Sequence, residues 1–411
     1  MTVAAYTLGC KVNACDTEET LARFSAKGYE IVDFQSLADI YIINTCSVTS
    51  LSDKKSRQIL RRARLMNPRA LVVAAGCFAQ ASPEEAGRVP GINLVAGVDQ
   101  RENIVSMVEE RIKKLDPSFQ SVPDTNPAPR RFSGRTRAYL KIQDGCDFYC
   151  NYCIVPYLRG PVRSKAIGEA FAEAESLAGD GAKEIVLSGI NISSYGKDLE
   201  HTDILKLLSK IHTLPGIRRI RFSSLEPGLI TKDFTKQLIQ FPKVCDHFHL
   251  SLQSGSDYIL RAMNRKYTCR EYESSVFLLR EQYPDAGLTT DIITGFPGES
   301  PDHFDESLSF IKKIGFSRIH VFPYSPRKGA PAASFDNQVS GNEKKYRSGL
   351  ARELGNEMEK AFIDKRKGRI MAVLFERRIK KDVYEGHTTN YIKVRASSGE
   401  NIINQIKEAE I

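Results

Sequence analysis

No apolar run in this 411-residue chain approaches the length needed to cross a bilayer, and no basic-then-apolar leader opens it. Both absences point to a soluble, cytoplasmic protein with no membrane partner. Internal repeats and long low-complexity stretches are also missing, which sets repeat architectures aside. An even set of cysteines is lacking too: there are nine. In a reducing compartment that number reads as metal or redox chemistry, with no disulfides expected. What is present is an ordinary hydrophobic content of 41% and a net charge of +9. The chain can therefore bury a sizeable core, its length suggests two to three domains, and a polyanion is a plausible partner.

Three of the cysteines fall within eight residues, Cys146, Cys150 and Cys153, after a strand-like apolar run. A turn that tight gives thiols little to pack against, so the spacing points to a metal centre. Structural zinc sites take four protein ligands and cubane iron–sulfur clusters usually four cysteines. Two readings stay open at this point. One is a cluster with an iron left free for a small molecule; the other is a structural site whose fourth ligand lies elsewhere.

Before that loop the chain alternates strand and helix. Strands are expected at Val3–Gly9, Ile40–Thr45, Leu71–Gly76 and Asn93–Val98, and helices at Asp16–Lys27, Ser52–Met66 and Asn103–Lys114. This rhythm argues for a parallel sheet covered on both faces. Three of the strands end on a cysteine, Cys10, Cys46 and Cys77, at the carboxyl edge where ligands of open α/β sheets gather. The alternative is a set of buried structural thiols, the class to which Cys15, Cys245 and Cys269 are assigned. Residues Asp116–Arg131, with four prolines, read as a linker.

From about 132 to 363 the alternation resumes. Strands are expected at Ala138–Gln143, Glu184–Ser188, Arg219–Ser223, His247–Leu252, Thr289–Thr294 and Arg318–Phe322. Helices are expected at Ile167–Leu177, Asp203–Ile211, Asp257–Met263, Tyr272–Arg280 and His303–Ile314. Six β/α units make a partial parallel barrel, whose functional groups belong at the strands' carboxyl ends. Ser188, Gly189, Ser223, Ser224, Glu226, Ser251, Gln253 and Asp291 fall there, as polar or small residues that would suit a polar ligand. His249 and His320 fall inside strands and read as core histidines.

From Lys365 to Ile411 short alternating runs and turns suggest a small all-β module. It holds eleven Lys/Arg against six Asp/Glu, over half of the chain's net charge. With Tyr384, Tyr391 and Lys393 on it, that module reads as an RNA-binding surface. The basic helix carrying Lys54, Lys55, Arg57, Arg61, Arg62 and Arg64 extends the footprint.

Cys146-x-x-x-Cys150-x-x-Cys153 after a first barrel strand resembles the signature of radical S-adenosylmethionine (SAM) enzymes, and the whole chain resembles the methylthiotransferases of that superfamily. Thr7–Asn13, Ile43–Thr49 and Ala75–Cys77 are similar to the family's three amino-terminal cysteine motifs. Leu158-Arg159-Gly160 with Arg163-Ser164, Ser223–Pro227, His249–Gly255 and Gly295–Glu299 are similar to its barrel motifs, and the last module to its TRAM domain. Gly9-Cys10-Lys11-Val12-Asn13 resembles the branch acting on threonylcarbamoyladenosine beside the tRNA anticodon. Sister branches act on isopentenyladenosine in tRNA or on a ribosomal-protein aspartate.

The resemblance implies an α/β fold of three domains: residues 1–120 with the auxiliary-cluster cysteines, a partial barrel over 132–363, and a TRAM-like β domain over 365–411. It implies two [4Fe–4S] clusters, one on Cys146, Cys150 and Cys153 and one on Cys10, Cys46 and Cys77. The first would bind SAM and yield a deoxyadenosyl radical; the second would carry the sulfur that is methylated by SAM and inserted at carbon two of the adenine. SAM contacts map onto Ser188, Gly189, Ser223, Ser224, Glu226, Ser251, Gln253 and Asp291. Substrate contacts map onto Asn13, Arg159, Arg163, Tyr391, Lys393 and Arg395. Partners implied are tRNA and an electron donor such as a flavodoxin or ferredoxin. Two other readings use the same residues: modification of a protein side chain, and a non-catalytic cluster or zinc protein that binds RNA. The basic last module speaks against the first of these, and the polar barrel strand ends against the second.

Overall fold

The computed structural model describes residues 1–120 and 136–411. The linker expected over 116–131 lies outside them from residue 121 onward, as does the expected start of the second segment at 132.

The first sheet holds β1 (Thr2–Thr7), β2 (Glu30–Val32), β3 (Ile40–Thr45), β4 (Leu71–Gly76) and β5 (Leu94–Ala96). All neighbours run parallel, in the order β2-β1-β3-β4-β5. The strand order reverses between β1 and β3, which is where open sheets of this kind leave a crevice for ligands. Every residue of β3 is buried, as a central strand covered on both faces must be. One helix, α1 (Lys11–Ala26), starts five residues before the expected Asp16, directly after Cys10. No side chain caps it, so the sequence carries no start signal there. By contrast α2 (Ser50–Met66) is capped by Thr49, whose hydroxyl accepts from the Ser52 amide, and Asp53 lies in its first turn. Cys77 opens the short helix α3 (Cys77–Ala81).

The barrel strands are β6 (Arg137–Lys141), a hairpin pair β7 (Gln143–Asp144) and β8 (Arg163–Ser164), then β9 (Glu184–Ser188) and β10 (Arg219–Phe222) with its short extension β11 (Ser224–Leu225). They continue with β12 (His247–Leu250), β13 (Gly287–Thr294) and β14 (Arg318–Pro323). Two parallel sheets, β10-β9-β6 and β11-β12-β13-β14, meet through a bridge between Ile220 and Val244, giving a six-stranded open barrel. Alternate residues point apart: Ala138, Leu140, Ile185, Leu187, Ile220, Phe222, Phe248 and Leu250 join the outer core beneath the helices. Arg137, Tyr139, Lys141, Glu184, Ser188, Arg221, His249, Asp291 and His320 occupy the other parity and line the lumen.

Gly341–Asp364, a 24-residue helix absent from the sequence expectations, packs against β14, with Arg318 ion-paired to Glu359. The final module is an antiparallel sheet of β15 (Ile370–Lys380), β16 (Val383–Thr388), β17 (Lys393–Ser397) and β18 (Ile406–Glu410) in the order β17-β16-β15-β18. It docks under the amino ends of the barrel strands. Arg219 donates to the carbonyls of His387 (3.0 Å) and Ala372 (2.8 Å), and Arg221 to that of Thr389 (2.9 Å).

This docking corrects part of the RNA-surface reading. Tyr384 is only 3% exposed. Tyr391 is stacked between His247 and His387, both at 4.6 Å, with the guanidiniums of Arg137 and Arg221 over its ring. The aromatic surface was expected on the outside, but both rings are spent on packing. Lys393 and Arg395 remain exposed.

Candidate active site

Cys10, Cys46 and Cys77 follow β1, β3 and β4, three adjacent strands, so the parallel register delivers them to one edge. Gly9 precedes the first with φ of +95°, and a Cβ there would stand 2.8 Å from the Cys46 sulfur. Only glycine lets the two cysteine turns approach so closely. Asn13, one turn into α1, ties the group together: its amide donates to the carbonyls of Leu8 (2.8 Å) and Thr45 (3.0 Å). The Asn13 Oδ1 lies 3.9 Å from the Cys10 sulfur and 4.0 Å from that of Cys77. Burial pushes the Cys46 thiol up and the Cys77 thiol up to about 11.

Cys146, Cys150 and Cys153 form the second group. A Cβ on Gly145, with φ of +71°, would collide with the Pro161 carbonyl, so the turn into Cys146 needs glycine. The Cys146 amide donates to Gly160 O (3.0 Å), and the Cys153 amide to Cys150 O (2.9 Å). Burial raises the Cys146 thiol and pushes the Cys153 thiol to about 12, with the neighbouring cysteines adding to both. Each site thus gathers three soft sulfur donors, from buried Cys46, Cys77 and Cys150 to exposed Cys10, whose thiolate forms repel one another. Such a set suits a polynuclear cation that stabilises thiolates, and iron–sulfur clusters meet that description.

Each site also has one buried arginine. Arg265 donates to the Cys150 sulfur (3.3 Å) and is ion-paired with Glu226. Arg159, only 3% exposed, stands between the two sites. It donates to Asn13 Oδ1 (2.6 Å), Asp16 Oδ2 (3.1 Å) and Asp144 Oδ1 (2.9 Å), and its charge faces Cys77 and Cys10. Lys141 completes this network against Asp16 and Glu19, and Arg101 pairs with Asp144 at 2.8 Å. The first sheet is therefore clamped onto the barrel mouth through charged groups.

The structure distributes the other expected residues unevenly. Ser223 is buried and its hydroxyl has no hydrogen-bond partner among the described residues, as expected of a group awaiting a ligand. The Asn191 carboxamide, beside Cys146, is likewise buried without a bond of normal geometry. Ser188 is buried and donates to the carbonyl of Val186 (3.1 Å), while Gly189 packs against Gln143 and Ile192. Ser251, only 7% exposed, and Ser224, half-buried, lie at the neighbouring strand ends. Gln253, at φ of +69°, exchanges backbone bonds with Asp291 and Ile293. Asp291 lies 3.4 Å from His249, and with His320 the three side chains offer polar atoms within 4.8 Å of one another.

Three expectations change here. His249 and His320 are not core histidines, because the inner faces of β12 and β14 look into an open lumen; His320 is exposed. Asn13 and Arg159 are both buried and fully engaged, so they organise the cysteine sites and leave no group free for a substrate. Arg163, about half exposed, does reach an open cavity of about 420 Å³ that also borders Val98, Arg101 and Leu158. Sequence reasoning passed over Arg265, Lys141, Asp16, Asp144 and Asn191. Their only signal is a charged or amide residue at a position of buried parity.

Comparison with known proteins follows the same division. Residues 140–311 match the radical SAM superfamily, and residues 2–97 match the Uncharacterized protein family UPF0004. Over its whole length the chain is 38% identical to the threonylcarbamoyladenosine tRNA methylthiotransferase MtaB of Bacillus subtilis (strain 168), covering 93% of that protein. It is 35% identical, over 98% of its length and 93% of the other's, to the tRNA-2-methylthio-N(6)-dimethylallyladenosine synthase of Thermodesulfovibrio yellowstonii. Among solved structures, the radical S-adenosylmethionine methyltransferase TsrM of Kitasatospora setae, with cobalamin and a [4Fe-4S] cluster bound, superposes with a TM-score of 0.60 at 14% identity. That match covers 81% of this chain and 77% of the other, and it speaks for a shared fold.

Proposed function

Because this chain belongs to the radical SAM tRNA methylthiotransferases, we propose that it converts N6-threonylcarbamoyladenosine beside the tRNA anticodon to the 2-methylthio derivative, in the cytoplasm and with a flavodoxin or ferredoxin as electron donor. The observation that carries the reading is the convergence of two three-cysteine sites, from different domains, on either side of Arg159.

Cys146, Cys150 and Cys153 would hold the cluster of the radical SAM family, and Cys10, Cys46 and Cys77 an auxiliary one. When bound, these groups and SAM supply the radical, the sulfur and the methyl group. The chain's own residues do the rest. Ser223, whose hydroxyl has no partner among the described residues, and Asn191, beside Cys146, offer polar groups to a ligand at that site, and Glu226, held by Arg265, adds a carboxylate. Arg159 and Arg265 set positive charge beside the two sets of sulfurs, where low polarity makes it strongly felt. The Asp144–Arg159–Asp16–Lys141 network keeps the two domains in register, so that a base admitted to the lumen meets both sites at once.

The test is nucleoside mass spectrometry of tRNA after incubation of the reconstituted protein with SAM and reductant. The expected product is 2-methylthio-threonylcarbamoyladenosine, and Cys46→Ala and Cys150→Ala each abolish it. Product on dimethylallyladenosine alone, or on a ribosomal-protein aspartate, overturns the reading, as does activity retained in either variant.

A further inference from the structure

Among the described residues the lumen holds several cations, and all but one are ion-paired. Arg137 is bonded to Tyr391 (2.8 Å) and Glu376 (3.2 Å), and Arg221 to Glu184 (2.7 Å). Above them Arg159 and Lys141 are consumed by Asp144, Asp16 and Glu19. The exception is Lys11. It is the first residue of α1, next to Cys10, and its ammonium lies within Coulombic reach of Asp291, Tyr391, Arg137 and Arg221. Cys15, one helical turn further along α1 and so on the same face, lies 3.7 Å from the carbonyl of the barrel residue Tyr139, which turns that face toward the lumen from the side of the first sheet. Yet Lys11 is solvent-reachable and has no hydrogen bond or ion pair among the described residues. The nearby carboxylate, Asp291, is turned to His249 at 3.4 Å.

An ammonium that opens on the lumen with no ion pair of its own among the described residues is free to pair with an anionic group that enters. The two nucleosides named among the relatives differ in this respect. A threonyl group joined through a carbamoyl to the adenine N6 presents a free carboxylate, whereas a dimethylallyl group is an uncharged hydrocarbon. We infer that Lys11 is the specificity-determining residue that pairs with the substrate's threonyl carboxylate. This rests on the threonylcarbamoyl reading above. SAM also carries a carboxylate, so the shared chemistry is a carboxylate in the lumen, and the experiment separates the two sources.

The experiment compares anticodon stem-loops bearing threonylcarbamoyladenosine as the free acid and as its methyl ester, with wild type, Lys11→Arg and Lys11→Met. Wild type is expected to prefer the acid over the ester roughly 10- to 100-fold in kcat/KM, the range of a charge-assisted hydrogen bond. Lys11→Arg keeps most of that ratio and Lys11→Met brings it close to one. Competition binding of the two stem-loops reads the same ratio without turnover, so a Lys11→Met protein that binds but does not react still reports. An unchanged ratio in Lys11→Met overturns the inference, and so does a wild type that treats acid and ester alike. A Lys11→Met protein whose KM for SAM rises while the acid-to-ester ratio stays fixed assigns the lysine to SAM and also overturns it. If wild type modifies neither stem-loop, the functional reading itself has failed, which is distinct from loss of the ratio alone.

Discussion

Asp144 shows how a single side chain can carry both architecture and function. Its carboxyl is buried two residues before Cys146, and burial alone would raise its pKa. The nearby charges of Arg159, Lys141 and Arg101 outweigh that and hold it down at about 2, against an ordinary 3.8. A carboxylate with a depressed folded pKa adds stability that is present above its unfolded value and disappears as pH falls through the folded value. The loss therefore falls between about pH 4 and pH 2, and roughly 2 kcal/mol is at stake. Asp144→Asn should cost about 3–5 kcal/mol at pH 7, because Arg159 and Arg101 lose a buried partner. It should also flatten the unfolding free energy between pH 4 and pH 2 relative to wild type, measured by urea titration at each pH. A wild-type-like acid slope in the variant would place the sensitivity elsewhere. None of this was legible in the sequence. The Arg159–Asn13 and Arg159–Asp16 bonds join residues 146 and 143 positions apart, and no local pattern encodes such a pairing.

Among the elements, those with strong periodicity could be read in advance. Strands such as Ile40–Thr45, Leu71–Gly76 and Glu184–Ser188 stand where the apolar runs put them, since a parallel strand is buried on both faces. The 24-residue helix Gly341–Asp364 was missed because it buries only Arg347, Ser348, Ala351 and Gly355, and so carries almost no apolar stripe. Strand β15 runs five residues past Phe375, through Glu376-Arg377-Arg378 and two register shifts that break the two-residue period. The largest revision concerns Tyr391, which pins the last sheet to the barrel floor. Tyr391→Ala removes its stacking on His247 and His387 and its bond from Arg137, and should cost roughly 3 kcal/mol. Hydrogen exchange should show the loss in β16, β17 and the amino ends of β6 and β10, with the cysteine loops unaffected. Uniform deprotection across the chain would instead mean that the sheet and barrel unfold as one unit.

At the scale of the molecule, the cysteine sites open on the lumen's upper end while the basic module closes its lower end. The two cysteine groups could be inferred from spacing and from strand ends, because parallel topology brings the carboxyl edges together wherever the strands lie in sequence. The lumen between them could not, since its floor and roof come from the first and last segments of the chain. A tRNA that places one base in this lumen has its phosphates left to meet the outer surface. Lys54, Lys55 and Arg61 of α2, and Lys393 and Arg395 of β17, are exposed there, although Arg395 also donates to Glu385 at 3.1 Å. Other basic residues of α2 are otherwise engaged: Arg57 lies over Phe78, and Arg62 bonds to Gln35. If β17 touches the tRNA backbone, Lys393→Ala with Arg395→Ala should weaken binding and lower the slope of log Kobs against log salt by about 2, close to one per phosphate contact removed. The double variant Lys54→Ala, Lys55→Ala tests α2 in the same titration. The same slope as wild type in either pair would exclude that surface from the footprint. Discrimination between acid and ester at Lys11 should be untouched by either pair, because phosphate contacts position a nucleic acid without reading the base.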